Sequence, residues 1–271
     1  MAVRQALMGT SLLIAGCWDS RDPAGDDWYD PGSGLSVEES VTFTDQPYDV
    51  PADPADGIGA LIDAVYPVAS FSTAYGPDDQ WHPDAVCASD VAQELPWRVE
   101  GVVTLTPRWY FKTSGCDYDD EKFYGAWFIQ DSTGGLFVLG DSKVGHFDMG
   151  DRVTIDVRGA RTLYGLDLVY SYDVVDVQRT GGAIYYETVD RSLGGQDIGL
   201  VRRVTGTVTS PKDTFGEFTI ETDGGVTHVV NLDAELSRRK VGWDVGTRIQ
   251  VTGPVLYSYS TYSVLVMRKG Q

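Results

Sequence analysis

The sequence predicts an all-β protein in which two consecutive small closed barrels follow an irregular acidic N-terminal segment. Three observations predict it. The second half of the chain repeats three blocks of the first, the blocks alternate apolar and polar residues, and helical periodicity is nearly absent.

The blocks come in the same order in each half. Val99-Glu-Gly-Val-Val-Thr104 recurs as Val204-Thr-Gly-Thr-Val-Thr209. Phe128-Ile-Gln-Asp-Ser-Thr-Gly-Gly135 recurs as Phe218-Thr-Ile-Glu-Thr-Asp-Gly-Gly225, and Gly150-Asp-Arg-Val-Thr-Ile-Asp-Val157 as Gly246-Thr-Arg-Ile-Gln-Val-Thr-Gly253. A period of about 100 residues is that of a domain, not of a solenoid unit. Within the blocks, Trp97, Val99, Val103 and Leu105 alternate with Arg98, Glu100, Thr104 and Thr106, as in a half-buried strand. Gly134-Gly135 and Gly224-Gly225 sit where a tight hairpin calls for positive φ. Leu166, Leu168 and Tyr170 resume the alternation at the end of the first half, as Tyr262, Val264 and Val266 do in the second. Each half thus supplies about five strands, enough to close a small barrel. The barrels are expected at residues 91–180 and 198–271, after an irregular segment at 41–90.

One helix is expected, over residues 234–240. Asp233 caps it, Glu235 lies in its first turn, and Arg238, Arg239 and Lys240 fill its last, as the helix dipole favours. It falls between the third and fourth strands of the second half, where an OB barrel carries its helix. The succession Val-x-Gly-Val-Val, Phe-Ile-Gln-Asp-Ser-Thr-Gly-Gly-Leu-Phe-Val and Gly-Asp-Arg-Val-Thr-Ile resembles the OB-fold modules of bacterial extracellular proteins. The resemblance covers about residues 90–271, is looser in the second half, and implies fold more than function.

The N-terminus carries a different signal. Arg4 precedes an uncharged stretch over residues 6–16, too short to span a bilayer, which needs ~20 apolar residues. Its end, Ile14-Ala15-Gly16-Cys17, resembles the lipobox of bacterial lipoproteins. That resemblance implies a signal peptide at residues 1–16 and a lipid such as palmitate on Cys17. The mature chain would then be anchored to the outer membrane, periplasmic or surface-exposed. Residues 17–40 are rich in Asp, Gly, Pro and Ser, the composition of a flexible tether.

Charge narrows the partner. The net charge is −19, and residues 18–100 carry 18 acids against 2 bases, whereas residues 200–271 carry 7 acids against 9 bases. Such asymmetry disfavours a polyanionic ligand, which needs a basic stripe. Three cysteines are present. With Cys17 assigned to lipid, Cys87 and Cys116 remain to pair in an oxidising compartment, and a bridge would stabilise by ~3–4 kcal/mol on the chain-entropy model.

The candidate sites lie mostly in loops. Residues 107–125 form a first-barrel loop about 15 residues longer than its second-barrel counterpart, on the side where OB barrels take ligands. It holds Trp109, Tyr110, Phe111 and Tyr124, which suit stacking on a ligand or packing on the N-terminal segment. The same loop carries Asp117, Asp119, Asp120 and Glu121, hard oxygen donors for calcium that lack EF-hand spacing. Tyr257 and Tyr259 stand at the last hairpin of the second half, and with the bases at 238–240 they suit single-stranded nucleic acid. No histidine stands by a nucleophile in a catalytic spacing. The sequence therefore predicts a cofactor-free, non-catalytic, envelope-anchored module binding a protein or glycan. A nucleic-acid binder and an unrecognised extracellular hydrolase are the alternatives.

Overall fold

The computed structural model describes residues 41–49, 57–65, 97–109, 113–114, 122–123, 126–139, 147–163, 166–232, 243–258 and 260–266. Residues 41–271 form one compact unit. Expectations on the signal peptide, Cys17, the tether, Cys87, Cys116, residues 110–111, 117–121, 124 and 259, and the helix at 234–240 lie outside the described residues.

In chain order the elements are β1 (Phe43–Thr44), α1 (Ile58–Val65), β2 (Trp97–Trp109), β3 (Thr113–Ser114), β4 (Lys122–Phe123), β5 (Ala126–Gln130), β6 (Gly135–Leu139), β7 (Arg152–Leu163) and β8 (Leu166–Gln178). There follow β9 (Ile184–Tyr185), β10 (Glu187–Thr188), a 3-10 turn (Gly195–Asp197), β11 (Val201–Val208), β12 (Glu217–Glu221), β13 (Thr227–Leu232), β14 (Arg248–Ser258) and β15 (Thr261–Val266). Strands β2, β5, β6, β8 and β7 close a barrel in that order. Strands β11, β12, β13, β15 and β14 form a second ring, closed by the β11–β14 pairing. Counted within each half, both run 1-2-3-5-4 and back to 1. In both the third and fifth strands are parallel and the other pairs antiparallel. Both halves are therefore OB-type barrels, as the alternating blocks predict.

The repeat extends to individual turn bonds. Gly150 and Gly246 stand at φ 91° and 93°, where a side chain would be strained. The Gly150 amide donates to the Val103 carbonyl and that of Gly246 to Val208, both at 2.8 Å. The Phe128 and Phe218 blocks, by contrast, are not in register. Inside the barrels Trp127 and Ile129 correspond to Phe218 and Ile220, so Phe128 faces outward while Phe218 faces the core. A one-residue slip exchanges the faces of a strand. The glycine expectation also needs correction. Gly225 has φ 77°, but neither Gly134 nor Gly135 is left-handed. Asp131 shapes that turn instead, its Oδ1 accepting from the amides of Thr133 at 2.7 Å and Gly134 at 2.8 Å.

Segment 41–90, expected to be irregular, contributes regular structure within its described part. The helix α1 packs Ile58 and Leu61, both fully buried, into the first barrel's core beside Trp127, Ile129 and Leu136. Its first amides are satisfied from the β5–β6 turn: Ile58 N donates to Asp131 Oδ2 at 2.8 Å and Gly59 N to Thr133 Oγ1 at 2.9 Å. These side chains act as the helix cap from another part of the chain. Strand β1 pairs in parallel with β9, and the Tyr48 hydroxyl accepts from the Tyr185 amide at 3.0 Å.

The barrels share a seam. Leu105, Phe128, Phe137, Leu166 and Leu168 of the first pack against Leu256 and Leu265 of the second, all 4% exposed or less. Burying such a side chain stabilises by ~1.5–3 kcal/mol. The buried Gln130 side chain crosses the seam, its Oε1 accepting from Val201 N at 2.7 Å. Gly135 lies so close to Gly199 that a Cβ added to it would stand 2.2 Å from the Gly199 carbonyl carbon. The two barrels form a single body.

Candidate binding site

OB barrels bind ligands across the outer face of their second and third strands and in the adjoining loops. In the first barrel that face is β5–β6, and its outward residues Phe128, Gln130, Gly135 and Phe137 all meet the second barrel or the connector leading to it. The sheet face is closed. What remains is the loop over residues 107–125. Strand β2 runs on to Trp109, whose register partner is Ala126, and β3 pairs with β4 antiparallel inside the loop. It begins two residues after Leu105, a seam residue.

In the second barrel the outward residues of the corresponding face, β12–β13, are half-buried or exposed among the described residues. Phe218, Ile220, Val230 and Leu232 point into the core. Thr219, Val229 and Asn231 are half-buried on the outer side, and Glu221 and Thr227 are exposed. The adjoining loop is fixed by Asp213, whose Oδ1 accepts from the amides of Phe215 and Glu217, each at 2.8 Å. Phe215 is thereby displayed on a defined turn, 59% exposed. Glu217 accepts from Asn231 Nδ2 at 2.9 Å, and burial together with the charge of Asp213 pushes its carboxyl above the ordinary carboxylate value. The outward strand residues of this face include acids and no base, which suits neutral or cationic groups and opposes phosphate.

Four arginines among the described residues nearby are engaged. Arg248 forms a two-bond pair with Asp223, at 2.7 and 2.8 Å. The Arg203 guanidinium stacks over Tyr186, 3.5 Å from the ring centre, and its Nε donates to Thr252 Oγ1. Arg191 and Arg202 bind Asp197. A nucleic-acid backbone would have to draw such groups from their partners or find others.

Of the sequence candidates, Tyr257 alone has a described side chain. It packs on the seam and lies against Tyr262, centroids 4.6 Å apart with the rings tilted by 40°, so part of its surface is given to packing. Trp109 is placed by its backbone only. No group of three His, Cys, Asp or Glu side chains arranged to hold a metal occurs among the described residues. The Asp197 cluster escaped the sequence analysis, because its members sit at irregular spacing in the connector and at the start of β11.

No protein-family model matches the chain, and no curated protein matches it. Among solved structures, a chain titled as the tetrameric p202 HIN2 aligns with a TM-score of 0.29 and 12% identity, over 64% of this chain and 90% of that one. A chain from a structure titled "Molecular basis for abrogation of activation of pro-inflammatory cytokines" aligns with a TM-score of 0.31 and 11% identity, over 64% and 90%. A third, from "Structural mimicry for functional antagonism", gives 0.31 and 13%, over 64% and 89%. The OB assignment rests on the strand order above.

Proposed function

We propose that this chain is a rigid two-barrel binding module without catalytic activity, held at the cell envelope by a lipid on Cys17. Its partner is a protein or glycan, docked by the aromatic loop over residues 107–125. One observation supports this most: the outer face of β5–β6 is covered by the second barrel. The first barrel is left with its rim, and the longest rim element carries Trp109, Tyr110, Phe111 and Tyr124. A Cys87–Cys116 bridge would tie residues before the barrel to this loop, and peptide mass spectrometry without reduction should find it.

A second reading is single-stranded nucleic acid. The OB order of both barrels and the neighbouring rings of Tyr257 and Tyr262 favour it. The acidic outer face of the second barrel and the engaged arginines oppose it.

The test is a pull-down of the lipid-free chain from its own envelope, run beside a single-stranded DNA titration at two salt concentrations. The expected result is an envelope partner lost in the Trp109→Ala/Tyr110→Ala variant and little changed by salt. Phosphate contacts instead make affinity fall steeply with salt. Salt-sensitive DNA binding abolished by replacing Arg238, Arg239 and Lys240 with alanine would establish the second reading. Metabolic labelling with a palmitate analogue tests the anchor: label should enter the wild type and be lost in Cys17→Ala.

A further inference from the structure

The outer side of β12–β13 carries residues that the loop reading leaves unused. Three register pairs cross it: Glu217 with Asn231, Thr219 with Val229, and Glu221 with Thr227. Phe218 and Ile220 of β12 point into the core, as do Val230 and Leu232 of β13, so the residues between them face out. The turn before β12 is pinned on both sides of Phe215. Asp213 N donates to the Glu217 carbonyl at 2.8 Å, and Leu232 N donates to the Gly216 carbonyl at 3.0 Å. The exposed Phe215 therefore stands at the end of the face that holds the Glu217–Asn231 pair.

The polar groups of this face are held in order, and they leave a mixed set of donors and acceptors free. Thr219 N and Thr219 Oγ1 both donate to Ser210 Oγ, each at 2.9 Å. A hydroxyl has one proton and two lone pairs. Thr219 has spent its proton on Ser210, so in the 2.9 Å contact between Thr209 Oγ1 and Thr219 Oγ1 it is Thr209 that donates. The hydroxyl chain Thr209–Thr219–Ser210 thus runs one way. It ends on a Ser210 oxygen with both lone pairs taken and its own proton unspent among the described residues. Two residues from Thr219 on β12, Glu217 Oε1 accepts from Asn231 Nδ2 at 2.9 Å. That leaves Glu217 Oε2, Asn231 Oδ1 and one Asn231 N–H without a partner among the described residues. Neither free oxygen is among the buried unpartnered atoms, so both meet solvent.

We propose that this face of the second barrel, with Ser210, Phe215, Glu217, Thr219 and Asn231, is a binding site for an uncharged glycan strand. Donor and acceptor matching selects that ligand. A sugar hydroxyl both donates and accepts, and the face offers the Ser210 and Asn231 protons beside the Glu217 and Asn231 oxygens. A phosphate only accepts, and it would meet the carboxylates of Glu217 and Glu221. A Lys or Arg side chain only donates and would leave the Ser210 and Asn231 protons unmet. Phe215 and the half-buried Val229 supply apolar surface for the C–H face of a sugar ring, while the few placed polar groups fix its orientation. The site rests on the binding-module reading and adds to it a glycan surface on the second barrel, apart from the loop of the first.

The experiment applies the full chain to an immobilised panel of uncharged, acidic and amino oligosaccharides and of Lys/Arg-rich peptides. The tightest uncharged oligosaccharide is then titrated against wild type, Phe215→Ala and Asn231→Ala at two salt concentrations. Uncharged members should bind, with an affinity that salt barely changes and that falls about tenfold in each variant. In the wild type, amide NMR shifts on saturation should concentrate at Thr219, Val229 and Asn231, and this measurement decides by itself if a variant does not fold. The loop is judged by its own Trp109→Ala/Tyr110→Ala pull-down, so failure of this site and failure of the loop are told apart. Binding confined to acidic or amino saccharides or to the basic peptides, no binding of any uncharged member, an affinity unchanged in Phe215→Ala, or shifts that miss β12 and β13 overturns the proposal.

Discussion

Asp197→Asn keeps the shape of the side chain and removes its charge, so it isolates what the buried carboxylate contributes. Two routes give its magnitude. Removing one partner of a buried ion pair costs ~3–5 kcal/mol, because a charge is left uncompensated. Here the side chain of Arg191 is 44% exposed and regains water, while Arg202, at 7%, keeps Glu187, so the lower end applies. The second route is the carboxyl itself. Burial pushes it up, and the hydrogen bonds from Arg191, Gly194 and Arg202 more than reverse this, to about 2 from 3.8. At ~1.36 kcal/mol per unit that favours the ionised folded state by ~2.5 kcal/mol, with solvent around Arg191 trimming the figure. Both routes therefore give ~2–3 kcal/mol near neutral pH. A carboxyl depressed on folding stabilises above its unfolded value, and the stabilisation is lost as pH falls from 3.8 through about 2. Urea denaturation across that window should show the stability gap between wild type and Asp197→Asn closing, beneath the acid sensitivity that other paired carboxylates such as Asp223 give both chains. A variant within ~0.5 kcal/mol of wild type at neutral pH, or a gap between the two that does not close in acid, would refute the reasoning.

Two further substitutions test the seam and the helix dock. Gly135→Ala would bring a Cβ within 2.6 Å of three connector backbone atoms, so it should cost ~1–3 kcal/mol and make the connector protease-sensitive while the Trp127 core stays protected; wild-type resistance would contradict the seam. Asp131→Ala removes the acceptor for Ile58, Thr133 and Gly134 amides and should cost ~1–2 kcal/mol, with hydrogen exchange rising first in α1; unchanged α1 protection would show that Ile58 and Leu61 hold the helix unaided.

The barrels were legible because their strands obey a simple rule. In β13, Thr-His-Val-Val-Asn-Leu, alternate positions put His228, Val230 and Leu232 inside, and the burial follows them. The connector cluster was not legible. Asp197, Arg191 and Arg202 are brought together by a 3-10 turn and a strand start with no periodic signal. The helix α1 was missed for a related reason: at eight residues it is too short to stand on its own sequence and depends on the barrel it plugs and the Asp131 that caps it.

The seam was written in the sequence in a form that the repeat obscured. Aligning Phe128 with Phe218 treats the two strands as equivalent, yet their patterns differ. β12 reads Glu-Phe-Thr-Ile-Glu, a clean alternation with one face for water. β5 reads Ala-Trp-Phe-Ile-Gln, and β6 reads Gly-Leu-Phe-Val-Leu, apolar on both sides. A strand apolar on both faces is covered on both, and Phe128 and Phe137 meet Leu256 and Leu265 accordingly. The difference between two copies of one fold therefore carries the functional information: one barrel gave its sheet face to its neighbour, and the other kept Glu217, Thr219 and Asn231 facing outward. A search for the partner belongs on that outward face and on the loop over residues 107–125.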